Sequence, residues 1–515
     1  MKRNYSYLFL LLNLFIGSGL HAQKRFKSEV FSEIDSTKNI VYGQAKNLKG
    51  VDEKLLLDIF SPDRKDTVTN RPLVIFIHGG GFQNNSKTGS FSNRVCTSFA
   101  ERGYVTASID YRLGIDPSKT NKAYAEALYC AQQDGKAAIR FFRRYADKYG
   151  IDTSQIFITG SSAGAKTCLA IAYMDTNEVP VEVDTNQWGS LEGNSGNAGY
   201  SSKVQGVMNC WGALINYQWI NEGDAPLFNV AGTADKTVPY DSSFDYHGFK
   251  YGPSILFQRC LEMGVPTGWR PFYGSGHTLD NNKSKQDSCI QSMTAWLFTQ
   301  LKINRGANDE GVQRFEKEIQ KFDSLNRVEK TSPNSILFLG SSYIRLWENI
   351  RQDVNYNDII HRGFGGCNLT EVAYYLKRIV FPHQPKAIFI YVGNDIVAGN
   401  RDKSPDQVLE LFTYIVKIIR TKYPTIPITW LAISPNERRW TVWDKITEAN
   451  NLVKAFCESQ SSLYYISSGD QFIGTDGKPI TKYFREDKLH YNVEGYKVWG
   501  KNIRERVNEI SKLKL

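Results

Sequence analysis

The chain has 515 residues, 41% hydrophobic, 23% charged and 13% aromatic, which excludes a disordered, collagen-like or disulfide-dense protein and allows two or three domains. Lys and Arg number 63 against 53 Asp and Glu, a net charge of +10 at pH 7. The cations are scattered among acids along the whole length, whereas a nucleic-acid binder concentrates them in a stripe or tail, so the excess reads as solubility.

The N-terminus runs from Lys2-Arg3 through an apolar stretch, Tyr7 to Ile16, to small residues and a Leu20-His21-Ala22-Gln23 junction. This is the pattern of a signal peptide spanning 1–22, cleaved after Ala22, and it predicts a secreted or periplasmic protein. The apolar core, interrupted by Asn13, is shorter than the ~20 residues of a spanning helix, and no later segment is long and apolar enough to span a bilayer. An exported chain permits disulfides among its eight cysteines, six before residue 300 (Cys96, Cys130, Cys168, Cys210, Cys260, Cys289) and two after (Cys367, Cys457), but the pairing is not readable.

Strands are predicted at Leu73–His78, Tyr104–Asp110, Gln155–Thr159, Val204–Trp211 and Pro226–Ala231, alternating with helical stretches of which Tyr124–Tyr149 is the clearest. Such alternation implies a mostly parallel α/β sheet. The stretch Glu182–Ser202 is a polar insert that either walls a site or forms a disordered surface loop. Within it, Asp184, Asn186 and Gly189 begin like a calcium loop, but Trp188 and Ser195 occupy ligand positions, so calcium is rejected. No CxxC or Cys/His cluster has metal-ligand spacing, and no metal or cofactor is expected.

After a helix-like run from Ser284 to Leu301, a polar, Gly-containing segment leads to Val312, Phe315, Ile319, Phe322 and Leu325 at near-helical spacing. A second domain is therefore predicted, giving 23–302 and 303–515. Its strands fall at Ile336–Leu339, Asp358–His361, Ala387–Val392 and Ile426–Ile433, with helices at Asp406–Lys422 and Asp444–Ser459. No sequence repeat relates the halves.

In the first half, PLVIFIHGGG is a buried-looking strand emptying into Gly79, Gly80 and Gly81, whose backbone can turn N–H groups toward a ligand. QIFITGSSAG then sets Ser162 in a Gly-x-Ser-x-Gly frame between a strand and a helix, where only small residues fit around a tight turn. Such a turn exposes the hydroxyl and aims the amide of Ala163 at a developing oxyanion. With Asp235 in GTADKTVPY and His277 in GSGHTL, the order is Ser, Asp, His. From about Val41 to Leu301 the chain resembles the α/β-hydrolase family, in particular esterases with an HGGG motif. The resemblance implies Ser162 as nucleophile, His277 as base and then acid, Asp235 as its orienter, and the Gly80, Gly81 and Ala163 amides as oxyanion donors. Asp224 and Asp241 are the rival acids; Asp235 is preferred because it directly follows a strand and precedes Val-Pro.

In the second half, SILFLGSSYIRLW places Ser342 just past a strand, followed by HRGFGG with Gly366, IFIYVGNDIVAG with Asn394, and DKLHYNVEGY with Asp487 and His490. Four short blocks in this order resemble the SGNH (GDSL-type) hydrolase family over roughly Gly311 to Leu515. The resemblance implies a flavodoxin-like α/β domain with Ser342 as nucleophile, His490 and Asp487 as base and orienter, and Gly366 and Asn394 joining the serine's own amide in the oxyanion hole. Two departures stand out: Ser341 replaces the usual Asp, and Val392 holds the usual Gly position, with Gly393 beside Asn394. Ser341 and Tyr343 are the weaker alternative nucleophiles.

Both halves point to acyl transfer to water through a serine ester, with no phosphate loop or dinucleotide fingerprint. Two such domains resemble the tandem carbohydrate esterases of polysaccharide-degrading bacteria, which implies a substrate such as acetylated xylan, with feruloyl esters as a second option for the first half. A short-chain or lipolytic esterase, and a single-site esterase whose second half only binds or braces, stay open. Trp188, Trp211, Trp219, Trp347 and Trp440 either stack sugars or belong to the core. No nucleic acid, membrane span or partner protein is inferred.

Overall fold

The computed structural model describes residues 25–512, apart from 64, 116–119, 246–247, 305–310, 330 and 470. The expected leader, 1–22, lies outside them. Contacts divide the chain into two compact units, Met1–Ala307 and Asn308–Leu515, against an expected boundary after residue 302. Among the described residues no helix is long and apolar enough to cross a membrane.

The first unit is built on β1 (Ile34–Lys46), β2 (Asp52–Pro62), β3 (Arg71–Ile77), β4 (Val105–Ile109), β5 (Ile151–Ser161), β6 (Val207–Cys210), β7 (Leu227–Gly232), a small β8 (Ser242–Asp245) and β9 (Gly248–Tyr251) hairpin, and β10 (Thr267–Phe272). The main sheet has the order β1-β2-β4-β3-β5-β6-β7-β10. At one edge β1 pairs antiparallel with β2 and β2 with β4, and β4, β3, β5, β6, β7 and β10 run parallel. β3 reads as a continuous apolar run because both its faces are covered. With the period of two, Leu73, Ile75 and Ile77 join the core beneath α2 (Asn121–Arg144) and α3 (Ala163–Tyr173). Val74 and Phe76 join the opposite core, with α1 (Ser90–Ala100) and α5 (Lys283–Gln300). Helix α4 (Pro253–Met263) opens with its proline in the first turn and closes on a left-handed Gly264.

The second unit contains β11 (Ile336–Gly340), β12 (Ile359–Gly363), β13 (Ala387–Tyr391), β14 (Ile428–Leu431) and β15 (Leu463–Ile466). All pairings are parallel and the order is β12-β11-β13-β14-β15, the flavodoxin-like arrangement. Its helices are α6 (Glu316–Val328), α7 (Ser342–Arg345), α8 (Leu369–Val380), α9 (Pro405–Lys422), α10 (Trp443–Glu458) and α11 (Val493–Ser511). Asn368 with Glu371 and Ser404 with Gln407 form capping boxes that fix where α8 and α9 begin. The predicted apolar face buries Val312, Phe315 and Ile319 at the start of this unit, while Leu325 is exposed.

Three sequence questions are settled here. All eight cysteines are free and buried. Of the five tryptophans singled out above, Trp211, Trp219 and Trp347 are buried, Trp188 packs on the core, and Trp440 is half-buried. The 182–202 insert is ordered rather than loose. Gln132 and Gln133 of α2 donate to its carbonyls at Leu191 and Trp188, Lys136 and Arg140 pair with Glu192, and the Ser195 hydroxyl donates to Asp134 at 2.7 Å. Its carbonyl oxygens are satisfied by side chains of the helix, which pins it there.

Candidate active sites

In parallel α/β sheets, functional groups gather at the carboxyl ends of strands. In the first unit Ser162 follows β5 and caps α3 with φ 53° and ψ −118°, a backbone conformation that costs of order 1–3 kcal/mol. The turn is that tight because helix and strand meet with no room between them. A Cβ on Gly164 would lie 2.1 Å from the Ile77 carbonyl oxygen, and one on Gly160 would lie 2.6 Å from the Gly164 carbonyl carbon.

The structure brings Ser162, His277 and Asp235 together. The Ser162 hydroxyl donates to His277 Nε2 at 3.0 Å, and His277 Nδ1 donates to Asp235 Oδ2 at 2.7 Å. A carboxylate only accepts, so it places the imidazole proton on Nδ1 and leaves Nε2 basic toward the serine. The other Asp235 oxygen accepts from the Thr237 and Val238 amides at 2.8 and 2.9 Å, which locks the carboxylate after β7. Neither rival acid reaches the histidine: Asp224 accepts from the Asn221 amide, and Asp241 from the Ser254 hydroxyl.

The glycine loop passes beside the serine, since a Cβ on Gly79 would lie 3.3 Å from Ser162 Cβ. Gly80 makes the turn: its carbonyl accepts from the Gln83 and Asn84 amides, at φ 111°, and a Cβ there would strike the Asn84 carbonyl oxygen at 2.0 Å. Gly80, Gly81 and Ala163 keep amides for which no acceptor is found among the described residues. His78, the residue before the glycines, braces the loop. Its Nδ1 donates to the Gly79 carbonyl at 2.7 Å, its ring stacks on Tyr111 at 4.5 Å, and burial lowers its pKa so that the ring stays neutral.

The second unit assembles the same relay differently. Ser342 opens α7 directly after β11, without the left-handed backbone of Ser162. Its hydroxyl donates to His490 Nε2 at 2.8 Å, and His490 Nδ1 donates to Asp487 Oδ2 at 2.6 Å. Asp487 Oδ1 accepts from the Leu489 and His490 amides at 3.0 and 2.9 Å, so acid and base share one self-closed turn. Burial pushes the Asp487 carboxyl up, but the hydrogen bonds from the His490 side chain and the two amides prevail and lower it to about 2. Tyr343, beside the serine, ties this turn down by donating to the Leu489 carbonyl. That contact occupies its hydroxyl, and Ser341 is buried as the cap of α7, so neither alternative nucleophile is presented to the histidine.

Gly366 takes φ 90°, and no acceptor for its amide is found among the described residues. Asn394 Nδ2 donates to the Cys367 carbonyl at 2.9 Å, which leaves its second N–H. The sequence gives no hint of what orients it. Arg439, 6% exposed, donates to Asn394 Oδ1 at 2.6 Å and to the Gly393 carbonyl. An arginine only donates, so it fixes the carbonyl side of the amide and turns Nδ2 the other way. This also accounts for the displaced glycine: a Cβ on Gly393 would lie 3.1 Å from Arg439 Nη1. Asp395 braces the same block by accepting from the Leu369 amide at 3.1 Å and pairing with Lys403 at 2.9 Å.

Residues 57–214 match the BD-FAE family model, and residues 334–498 match the GDSL-like Lipase/Acylhydrolase family model. The chain thus joins an α/β-hydrolase esterase domain to a GDSL-like hydrolase domain. It is similar to the neuroligin-like protein glit-1 of Caenorhabditis elegans, 35% identical over 117 residues, 22% of this chain and 15% of that one. It is also similar to 3-O-acetylpapaveroxine carboxylesterase CXE1 of Papaver somniferum, 27% identical over 239 residues, 43% of this chain and 69% of that one. The first two curated relatives are covered over only 15% and 29% of their own length. Among solved structures, Thermogutta terrifontis esterase 2 phosphorylated by paraoxon aligns with a TM-score of 0.39 and 22% identity, over 52% of this chain and 94% of that one.

Proposed function

We propose that the protein is an exported serine esterase with two independent sites that removes acetyl groups from plant polysaccharides such as xylan, with feruloyl esters a second class for the first site. The observation that carries this reading is the pair of closed relays, Ser162–His277–Asp235 and Ser342–His490–Asp487, each on its own sheet. In each, the histidine takes the serine proton as the hydroxyl attacks the ester carbonyl, and returns it to the leaving alcohol. The resulting acyl-enzyme is hydrolysed by water activated by the same histidine. Oxyanion charge falls to the amides of Gly80, Gly81 and Ala163 in the first site. In the second it falls to the amides of Ser342 and Gly366 and to Asn394 Nδ2.

A carbohydrate substrate is supported by Trp440. It stacks on Trp443 at 5.8 Å and 13°, and both rings are half-buried. Trp440 directly follows Arg439, which touches Asn394, and stands three residues after Glu437, which pairs with Lys488 in the histidine turn at 2.8 Å. An aromatic face there suits the apolar face of a pyranose. Acetate released from a panel of acetylated polysaccharides and from simple aryl acetates tests the reading. Turnover of the aryl esters with none of the polysaccharides would reassign the protein as a general short-chain esterase. Export is tested by N-terminal sequencing of the natively expressed protein, which is expected to begin at Gln23.

A further inference from the structure

One buried cation beside the first site has no role in the relay. Lys166 lies one helical turn past Ser162, its amide donating to the Ser162 carbonyl at 3.0 Å. Helical side chains lean back toward the N-terminus, which carries this one toward the serine end of α3. The residue is 8% exposed, and its ammonium stands 5.2 Å from the centroid of the Tyr124 ring. No hydrogen bond or ion pair to it is found among the described residues. Tyr124 packs edge-on against Phe82 at 5.7 Å, and Phe82 directly follows Gly81, so one aromatic pair links Lys166 to the end of the glycine loop.

Among the described residues, the neighbouring carboxylates are already engaged elsewhere. The carboxylates whose fields reach it are Asp245 and Asp235. Asp245 pairs with Lys250, itself 7% exposed, and Asp235 is engaged by His277. Burial lowers the Lys166 pKa to about 8, the mark of an ammonium that lacks a close anion, and the positive end of α3 adds to the strain on it. A buried cation one helical turn from the nucleophile, with no partner among the described residues, is poorly explained by stability, since burying a charge without a partner is unfavourable.

We propose that Lys166 is a substrate-recognition residue of the first site and binds a carboxylate carried by the ester. This rests on the reading of Ser162 as the nucleophile. The carboxylate belongs either to the acyl part, as in a half-ester of a dicarboxylic acid, or to the alcohol part, as in a uronic acid next to the esterified hydroxyl.

The test uses the full-length Ser342→Ala protein, so that only the first site acts, and two matched pairs of esters. One pair is 4-nitrophenyl hemisuccinate and 4-nitrophenyl butyrate; the other is an acetylated methyl glucuronoside and the corresponding glucoside. With Lys166 present, the charged member of one pair is preferred in kcat/KM, and the pair that shows this identifies which side of the ester carries the carboxylate. Lys166→Met lowers that charged member about 10-fold to 100-fold, chiefly through KM, and changes the neutral member less than about twofold. Lys166→Arg keeps the preference. Absence of preference in both pairs, or an equal fall of both members in Lys166→Met, overturns the proposal. Should Lys166→Met fail to fold, competitive inhibition of neutral-ester hydrolysis by free succinate or glucuronate supports the proposal, and its absence overturns it. A first site that stays active after Ser162→Ala refutes the nucleophile assignment instead.

Discussion

Removing Arg439 is expected to disarm the second site without touching its serine, histidine or aspartate. The guanidinium donates to Asn394 Oδ1 at 2.6 Å and to the Gly393 carbonyl, and it is buried, so Arg439→Leu deletes charge-assisted bonds worth about 1.5–3 kcal/mol each. Most of that loss falls on the orientation of the Asn394 amide. Complete loss of one oxyanion donor costs about 10²–10³-fold in turnover, which sets the ceiling; the Cys367 carbonyl still holds one Asn394 N–H, so a loss of roughly 10-fold to 10²-fold in kcat with little change in KM is expected. The assay is aryl acetate hydrolysis by the full-length Ser162→Ala protein, with thermal unfolding measured alongside. Adding Asn394→Ala to Arg439→Leu should lower kcat little beyond Asn394→Ala alone, because the arginine acts through the asparagine. Unchanged kcat in Arg439→Leu, or losses that add in the double mutant, would refute the positioning role.

Ser162→Ala and His277→Ala, assayed in a Ser342→Ala protein, should each cost nearly as much ester turnover as the pair, since each is useless without the other. Asp224 is raised to about 6 by burial, with Asp175 and Glu178 adding and the Asn221 amide opposing. Its folded pKa lies above the unfolded value, so stability falls as pH rises from about 4 to about 6, and Asp224→Asn should raise stability at pH 7 by about 1–2 kcal/mol after solvent screening, read by chemical denaturation. Asp487, held at about 2, contributes stability that is fully present above its unfolded pKa of about 3.9 and is lost as pH falls toward 2. The melting temperatures of Asp487→Asn and the unaltered protein should therefore differ above pH 4 and converge toward pH 2.

What the sequence made legible and what it hid divide along a physical line. β3, β11 and β13 are buried and read as apolar runs, as does the Ile156–Ile158 stretch of β5, and the site blocks lie at their carboxyl ends, so local pattern and function coincide. The β1–β2 pair escaped because its outer strand is largely exposed and interrupted by register shifts. β10, reading TGWRPF, carries a glycine and a proline that an edge strand tolerates, and β15 is four residues long, half-buried at the other sheet's edge. Arg439 was hidden for a different reason. Its partner lies 45 residues away, and nothing local marks a charged residue in NERRW as buried. The 182–202 insert likewise takes its order from α2 side chains some 50–60 residues distant rather than from its own polar composition.

The most direct test of two independent sites is release of acetate and of an aromatic acid by the unaltered protein, Ser162→Ala, Ser342→Ala and the double mutant. The relays share no residue, so each single mutant should retain ester hydrolysis, the two should differ in acyl or positional preference, their rates should sum to that of the unaltered protein, and the double mutant should be inactive. Loss of every activity on every ester in Ser162→Ala alone would contradict the account and leave the second domain a binding module.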